Sequence, residues 1–252
     1  MPAKNQHVKA SSKPAAAAPP PPFRKSTLRE YFESIVIAVI LALFVRTFVF
    51  QAFKIPTGSM ENNLLIGDHL LVNKFLFAPT PTGLERALLP VRPIRRGDVV
   101  VFKYPEDPER DFIKRVIGLP GERLEVRDKR VYINGKPLDE PYVHYLEPPR
   151  SGAGLSEVTA FDLRERYGPV DVPADKYFMM GDNRDNSQDS RYWGMLPRDY
   201  VKGRALMIYW SYESDTEDYQ QTGIGSTVKD LFTVVTHFFT RTRWSRMFGQ
   251  IR

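Results

Sequence analysis

The feature that most constrains the fold of this chain is a long apolar run near its N-terminus, YFESIVIAVILALFVRTFVFQAF, at residues 31–53. Its uninterrupted apolar part, 35–45, has 11 residues, which is shorter than the ~20 that a membrane span needs. The flanking aromatic and aliphatic residues extend it to spanning length. Glu33 and Arg46 then lie near the two ends, where their charges reach the polar interface. We predict one transmembrane helix over 31–52, with a buried helix as the alternative.

Positive charge is concentrated at the two ends of the chain. The net charge is +6, of which residues 1–30 carry +5 and residues 223–252 carry +4, leaving −3 for residues 31–222. A folded body with so little positive charge binds phosphate backbones poorly, so we predict no nucleic-acid partner. Basic ends beside apolar segments instead favour contact with an anionic lipid bilayer.

The segment before the apolar run predicts how the chain crosses the membrane. Residues 1–22 are low in complexity and rich in Ala and Pro, so we predict a disordered basic tail over 1–30. Its six Lys and Arg residues place the N-terminus in the cytoplasm, and a single span then puts the rest of the chain on the other side. The long basic region and the lack of an A-x-A site after the run argue against a cleaved signal peptide.

The chain beyond the run has a predominantly β pattern. Alternation and the content of β-branched and aromatic residues predict strands at 69–75, 98–104, 111–119, 123–135, 176–182 and 204–212. Asp128–Lys129 closes a hairpin within the fourth of these, and Asn134–Gly135 is a strong turn signal. The looser stretch 147–169 predicts an excursion from the main sheet. We therefore expect a β domain over 53–222 with an inserted lobe at about 128–172.

The basic C-terminal segment, 223–252, has the pattern of an amphipathic helix over 229–246. Its apolar face would contain Leu231, Val234, Val235, Phe238 and Phe239. Arginines follow this face, as in helices that lie at a membrane interface. A helix packed on the folded body explains the pattern equally well, so both interpretations stay open.

The residue types narrow the chemistry. Cys is absent, which excludes a thiolate nucleophile, a disulfide and a Cys-based metal site. Ser59, in KIPTGSMENNLL, is either a turn residue or a nucleophile, and a nucleophilic Ser needs a base, usually His. His7 and His237 lie in the terminal segments. His69 and His144 have no neighbouring pattern typical of a triad, so a Ser-His-Asp triad is weakly supported.

Lys114 is a second candidate base. Successive side chains of a strand point to opposite faces, so Lys114 and Arg115 in DFIKRVIGL cannot share a face. One of the two cations must then lie on an apolar face, and only a Lys responds by losing its proton. Burial lowers the pKa of a Lys by ~3–5 units, which gives a neutral amine near neutral pH. Solvation of both cations at a sheet edge is the alternative, which periodicity alone leaves open.

The stretch GDNRDNSQDSRYWG, residues 181–194, is dense in side chains that hydrogen-bond and turn the backbone. Alternate residues from 183 to 189 resemble a calcium loop. However, Gln188 and Gly194 stand where an EF-hand has Gly and Glu, so we predict no metal site. The stretch suits either a buried polar network or a solvated loop.

Four segments together resemble the bacterial type I signal peptidases, the membrane-bound leader peptidases. They occur in the family's order within residues 30–212: FKIPTGSMENNLLIGDHLLVNKF, RRGDVVVFKYPEDPERDFIKRVIGLPGERLEV, VYINGKPL and GDNRDNSQDSRYWG. The last segment is the most specific of the four. The resemblance implies a mainly β fold, in which a signal-peptidase-like β-sheet catalytic domain with a smaller inserted β lobe is anchored by one N-terminal transmembrane helix.

The resemblance also implies a Ser/Lys dyad in place of a histidine triad. The match to PTGSM makes Ser59 the nucleophile, and the match to FIKR makes Lys114 the general base. Thr57 matches the residue whose hydroxyl joins the Ser59 amide in the oxyanion hole. Many members have Ser at that position, and Thr keeps the hydroxyl but restricts χ1.

Further residues are implied around the dyad. Ser187 matches the residue that orients the base, and Asp189 and Arg191 match a structural ion pair. Two shallow apolar pockets would bind the small residues of a signal peptide end as an extended strand. The residues carried over to these pockets are Phe53, Ile55, Pro56, Met60, Leu64, Ile113 and Met179.

The implied activity is that of a membrane-bound serine endopeptidase, which removes signal peptides from exported preproteins after a small-x-small motif. It would lie in the bacterial cytoplasmic membrane, with the catalytic domain on the outer side. No cofactor and no metal are implied, and the partners are preproteins and the lipid bilayer. Two alternatives remain: a specialised Ser/Lys processing peptidase of conjugation type, and an inactive membrane-tethered β-domain that binds partners.

Overall fold

The structure, a computed structural model, describes residues 27–78, 91–146, 163–213 and 236–251. The chain divides into two compact units, Met1–Ala42 and Leu43–Arg252. The mainly β fold predicted from the sequence is confirmed, because two antiparallel sheets supply most of the regular secondary structure in the described part of the second unit.

The N-terminal helix, α1, extends from Thr27 to Phe44 and continues as a π-helical turn, Val45–Val49. None of the residues of α1 is buried. In the described part of the chain, Thr27–Val49 is the one helical stretch that is long and apolar enough to cross a membrane. The helical stretch therefore begins before residue 31 and ends before residue 52, the two limits of the predicted span. The helical stretch stops before Phe50 because the next residues pair with a strand of the main sheet.

The eleven strands of the described residues are numbered in chain order and form two sheets. The main sheet has seven strands in the order β1-β2-β11-β3-β4-β9-β10, and every neighbouring pair is antiparallel. These strands are β1 (Phe50–Lys54), β2 (Asp68–Asn73), β3 (Val99–Tyr104), β4 (Asp107–Gly118), β9 (Lys176–Met180), β10 (Leu196–Pro197) and β11 (Val201–Ser211).

The second sheet is the inserted lobe. Its strands, in the order β7-β6-β5-β8, are β5 (Arg123–Arg127), β6 (Arg130–Ile133), β7 (Lys136–Pro137) and β8 (Tyr167–Asp171). The hairpin predicted at Asp128–Lys129 is confirmed, and both turn residues have positive φ. The lobe begins at Arg123, earlier than the predicted 128, because β5 pairs with β6 and β8 and not with the main sheet. Most of the predicted excursion lies outside the described residues.

All six predicted strands overlap observed strands. The five-residue strands β1 and β8 were not predicted. β1 was assigned to the end of the membrane helix, because its sequence FQAFK continues the apolar run. β8 was assigned to the excursion, because its sequence YGPVD contains the turn-forming residues Gly and Pro. Both segments become strands because they pair with a neighbouring strand. The local sequence pattern does not show such pairing.

The core of the second unit forms three clusters, and β3 separates two of them. Val99 and Val101 face the first cluster, whereas Val100 and Phe102 face the second, because side chains alternate along a strand. All four are buried, so β3 is central to the main sheet. The third cluster joins the ends of β4 and β9 to the inserted lobe.

The C-terminal segment packs along β11. Ile208 N donates to Gly249 O at 2.9 Å, and Arg243 N donates to Ser211 O at 2.9 Å. The predicted helix over 229–246 is wrong beyond Arg241, where the short helix Phe238–Arg241 ends; residues 229–235 lie outside the described residues.

The reason for this difference is a buried carboxylate. Asp68 is fully buried, and Arg246 Nη2 lies 2.6 Å from its Oδ2. Arg243 Nη1 lies 3.9 Å from the other carboxylate oxygen, and Ser211 Oγ donates to that oxygen at 2.6 Å. The two arginines therefore bind the folded body, and Ile251 joins the first core cluster. The β domain thus extends past the predicted boundary at residue 222.

We expect Arg246→Gln to lower the free energy of unfolding by about 1–3 kcal/mol, because a buried carboxylate loses its shortest charged contact. Urea unfolding of the full chain in detergent, followed by tryptophan fluorescence, measures the change. Arg241→Gln is the matched control, since Arg241 is an exposed side chain of the same segment. Equal losses in the two variants would contradict this role of Asp68.

Candidate active site

Ser59 lies in a tight turn between β1 and β2. Thr57 is extended, with φ −134° and ψ 153°, and a 3-10 turn follows over Gly58–Met60. Glu61 N donates to Gly58 O at 3.1 Å, which closes the turn. Met60 is fully buried in the first core cluster and anchors the turn, so Ser59 is held at a fixed place with only 6% of its surface exposed.

Lys114 reaches this turn from β4. Its Nζ donates to Ser59 Oγ at 2.7 Å and to Ile113 O at 3.0 Å. The same nitrogen lies 5.3 Å from the centroid of the Phe112 ring. Lys114 is 4% exposed, so the amine and the hydroxyl form a buried pair.

Burial lowers the pKa of Lys114 from its ordinary value of 10.5 to about 8. Desolvation is the main cause, because the charged ammonium is removed from water. The carboxylates of Asp189 and Asp182 act in the opposite direction and raise the pKa. A substantial fraction of the amine is therefore neutral at mildly alkaline pH and can accept a proton from Ser59.

The histidines do not occupy this position. Among the described residues, the hydrogen-bond partner of Ser59 Oγ is Lys114. His69 lies in β2 with its ring centroid 4.7 Å from that of Trp210. Burial is the main cause that lowers the pKa of His69 to about 4, and the charge of Lys54 lowers it further. His144 contacts the site through its backbone, where its N–H donates to Asp182 O at 2.8 Å.

Arg115, the other cation of the pair, is also buried, so the alternative of two solvated cations is wrong. Its Nε and Nη2 each lie 2.7 Å from a different oxygen of Asp182. The guanidinium carbon lies 4.0 Å from the centroid of the Tyr142 ring, and Nη1 donates to Gly97 O at 2.8 Å. The fork-shaped, permanently charged group is thus satisfied by a bidentate carboxylate.

The loop after β9 supports the Ser59 turn from behind. Asn183 N donates to Ser59 O at 3.1 Å, and Asn183 Nδ2 donates to Gly58 O at 3.3 Å. Gly181 is required at the contact, because a Cβ there would lie 2.5 Å from Ser59 O and 2.3 Å from Ser187 Oγ. The polar stretch 181–194 therefore forms a buried network and not a solvated loop.

Ser187 is brought close to the turn without contacting the base. It is buried, and no described residue makes a hydrogen bond with its Oγ. The partners of Lys114 Nζ are Ser59 and Ile113, so the expected contact between Ser187 and Lys114 is not formed. A Cβ on Gly181 would lie within 2.5 Å of both Ser187 Oγ and Ser59 O, so the Ser187 hydroxyl lies beside the Ser59 turn.

Asp189 and Arg191 form the ion pair implied by the resemblance. Arg191 Nε lies 2.8 Å from Asp189 Oδ1, and Arg191 Nη2 lies 2.9 Å from Oδ2. Asp189 also accepts from Gly181 N at 3.1 Å and caps the short helix Ser190–Trp193. The pair thereby fixes the loop beside Ser59.

The calcium-loop alternative has no support in the described ranges. Asp185 lies 3.0 Å from Lys129 Nζ, and Asp189 is bound to Arg191, so both carboxylates are committed to cations. Within these ranges there is no group of three His, Asp or Glu residues placed to hold a metal ion.

A cleft of about 370 Å³ opens in front of the dyad. It is lined by Pro56, Thr57, Gly58, Ser59, Arg110, Asp111, Phe112, Ile113, Lys114, Asn186 and Gln188. Of the seven predicted pocket residues, Pro56 and Ile113 line this cleft.

The other five predicted pocket residues do not line the cleft. Ile55, Met60 and Leu64 are buried in the same core cluster as Ile113, and Phe53 packs against that cluster. Met179 is fully buried in the second cluster, so the structure does not bring it together with the others. Ile113 and Lys114 both line the cleft, although they alternate along β4.

Within the described ranges, one edge of β4 has no partner strand beside this cleft. β4 pairs with β3 from Asp107 to Arg115, but with β9 only from Arg115 onward. The edge up to Lys114 therefore presents backbone N–H and C=O groups to the cleft, and an extended peptide can add to such an edge as a further strand.

The comparison with known proteins decides the family. A family model described as "Signal peptidase, peptidase S26" matches residues 28–210. The chain belongs to the peptidase S26 family of signal peptidases. The match includes the Ser59 turn, β4 and the loop after β9.

Individual signal peptidases are similar over most of their length. "Signal peptidase I" of Pseudomonas fluorescens is 38% identical over 213 residues, which covers 75% of each chain. "Probable signal peptidase I-2" of Synechocystis is 41% identical over 192 residues, covering 74% of this chain and 75% of that one. A crystal structure of a signal peptidase I from Enterococcus faecalis V583 matches with 32% identity and a TM-score of 0.35, covering 45% of this chain and 97% of that one.

Six cleft residues were not among the predicted site residues, namely Gly58 of the PTGSM match and five others. Arg110, Asp111 and Phe112 precede Lys114 on the free edge of β4, and Asn186 and Gln188 project from the loop after β9. Extending the alternation of β4 back from Lys114 would have found Phe112 and Arg110. No local signal indicates Asn186 or Gln188, because their exposure depends on how the loop folds.

We expect peptide hydrolysis to rise with pH through about 8, because Lys114 must lose its proton to act as a base. At pH 7 only roughly one-tenth of the free enzyme has the neutral amine, so kcat/KM should reach roughly one-tenth of its alkaline plateau. Rates measured between pH 6 and pH 10 give the profile. A pH-independent kcat/KM across this range would contradict Lys114 as the base.

Proposed function

We propose that this chain is a membrane-anchored serine endopeptidase that cleaves preproteins with Ser59 as nucleophile and Lys114 as general base. The observation that carries this proposal is the buried contact of 2.7 Å between Lys114 Nζ and Ser59 Oγ. Family membership supports the removal of signal peptides by a serine protease, and it does not favour the alternatives of a conjugation-type peptidase or an inactive binding domain.

The first half of the reaction forms an acyl-enzyme. Neutral Lys114 accepts the proton of Ser59 Oγ while that oxygen attacks the scissile carbonyl. The resulting ammonium then donates the proton to the nitrogen of the leaving mature chain. In the second half, Lys114 accepts a proton from a water that attacks the acyl carbon. The bond from that carbon to Ser59 Oγ then breaks, Lys114 returns the proton to Oγ, and the signal peptide leaves with a new C-terminal carboxyl group. The amine thus serves as base and acid in turn.

Thr57 and the amide of Ser59 are the proposed oxyanion donors. Thr57 is exposed, lines the cleft and directly precedes the Gly58–Met60 turn, so its hydroxyl is available on the side from which substrate enters. Donors placed before the reaction stabilise the developing charge without reorganisation. Ser187, whose buried hydroxyl lies beside the Ser59 turn, is the residue proposed to orient the base.

The substrate is the C-terminal end of a signal peptide, bound in extended form between the Ser59 turn and the unpaired edge of β4. Pro56, Ile113 and Phe112 supply apolar surface in the cleft, which suits the small residues of a small-x-small end. Phe53, Ile55, Met60 and Leu64 shape these pockets from behind, as members of the same core cluster or against it.

The anchor is the helical stretch Thr27–Val49. We propose that it crosses the bacterial cytoplasmic membrane once, with the basic N-terminal residues in the cytoplasm and the catalytic domain on the outer side. A site on a membrane-anchored chain suits a substrate whose own apolar segment is still in the bilayer.

The test is cleavage of a purified preprotein in detergent by wild type, Ser59→Ala and Lys114→Met, with the cut site determined by mass spectrometry. We expect cutting after a small-x-small end by wild type alone. Undiminished cutting by Lys114→Met would require another base. No cutting by folded wild type would overturn the proposed activity.

We expect Thr57→Val to slow the reaction by roughly 10²–10³-fold in kcat while leaving the fold intact, because the exposed hydroxyl stabilises only the transition state. Thr57→Ser is the control and should stay close to wild type, since it keeps the hydroxyl. Thermal unfolding of all three proteins checks the fold. Near-normal turnover by Thr57→Val would remove Thr57 from the mechanism.

A further inference from the structure

A second cleft of about 340 Å³ lies beside the first. It is lined by Arg164, Asp185, Asn186, Ser187, Gln188 and Tyr192. Asn186 and Gln188 line both clefts, so these two exposed side chains form a shared wall. No role in the reaction proposed above uses Arg164 or Tyr192.

The topology of the main sheet directs a bound chain toward this wall. A peptide that pairs with the unpaired edge of β4 can do so only as far as Lys114, because Arg115 pairs with Met180 of β9. The residues after the scissile bond must leave the strand direction at this point. The loop from Asn183 to Gln188 lies there, since Asn183 contacts the backbone of the Ser59 turn.

The wall and floor of the second cleft are held in place. Lys129, at the tip of the lobe hairpin, is buried against Asp185, with Nζ 3.0 and 3.2 Å from the two carboxylate oxygens. Trp193 Nε1 donates to Gln188 O at 3.3 Å, and Gln188 Nε2 donates to Tyr104 OH at 3.3 Å. The cleft is therefore formed before a ligand binds, which lowers the cost of binding.

The charges of the cleft favour an anionic ligand. The carboxylate of Asp185 is paired with Lys129, and the exposed residue Arg164 adds a guanidinium to the same lining. A guanidinium has five N–H donors, so it can bind a carboxylate in addition to a contact within the protein. Tyr192, which is 45% exposed, adds an aromatic surface for a neighbouring side chain.

We propose that this second cleft binds the first residues of the mature chain, immediately after the scissile bond, and that Arg164 selects acidic over basic side chains among them. This inference rests on the function proposed above, since it assigns a site to the leaving part of the same substrate. Asn186 and Gln188 separate the two halves of the bound peptide, and their amides can hydrogen-bond its backbone.

The experiment uses two peptides that share one signal-peptide end and differ only in the second and third residues after the cut, Asp-Asp or Lys-Lys. Binding of each peptide is measured by fluorescence anisotropy to full-length Ser59→Ala in detergent, which separates binding from cleavage. We expect the Asp-Asp peptide to bind about two- to fivefold more tightly, as for a partly exposed ion pair. Adding Arg164→Glu should reverse this preference.

Arg166→Glu, also made in the Ser59→Ala background, is the matched control. Arg166 is two residues away, exposed, and 3.6 Å from Asp128, and it does not line the cleft. We expect it to keep the preference for Asp-Asp. The inference would be overturned if Ser59→Ala kept the same preference for the Asp-Asp peptide after Arg164→Glu was added. It would also be overturned if Arg166→Glu changed that preference as much as Arg164→Glu, because the change would then reflect the charge of the whole lobe.

Cleavage of the two peptides by the protein with Ser59 intact separates the two proposals. Absence of cleavage would overturn the proposed activity, while charge-dependent binding that requires Arg164 would still support the second cleft. Cleavage with equal kcat/KM for both peptides, together with equal binding, would overturn the inference and leave the proposed activity standing.

Discussion

The burial of Lys114 against Ser59 is the interaction on which the rest of the site depends. Moving an ammonium out of water is costly, and the pKa of about 8 corresponds to roughly 3 kcal/mol in favour of the neutral amine relative to an exposed Lys. The neutral amine can accept a proton, which the ordinary ammonium cannot. Burial therefore makes the Lys114 amine a candidate base.

Two adjacent cations on β4 meet the cost of burial in different ways. Lys114 moves toward its neutral form, whereas Arg115 keeps its charge and binds Asp182 with two parallel contacts of 2.7 Å. The ion pair between Arg115 and Asp182 also affects Lys114. Asp182 raises the pKa of Lys114, so the carboxylate that satisfies Arg115 limits how far the amine is depressed.

The loop after β9 connects the dyad, the lobe and the second cleft. Its backbone and amide side chain hold the Ser59 turn, its Asp189 binds Arg191, and its Asp185 receives Lys129 from the lobe hairpin. The loop thus orders one wall of the catalytic cleft and fixes the boundary between the two clefts. This arrangement explains why a polar stretch with two Gly residues is buried and not solvated.

The sequence by itself determined the apolar anchor, the mainly β body, the hairpin at Asp128–Lys129 and, through four family-like segments, the pairing of Ser59 with Lys114. Local periodicity and turn signals report the first three features directly, and the last is what the resemblance to the signal peptidase family implied. It did not determine that Arg115 is buried as well, that β1 begins at Phe50, or that the C-terminal arginines bind Asp68. These three features depend on strand pairing and on ion pairs between buried charges that are distant in the sequence. The tertiary structure alone decided that the free edge of β4 ends at Lys114, because β9 pairs with it from Arg115 onward.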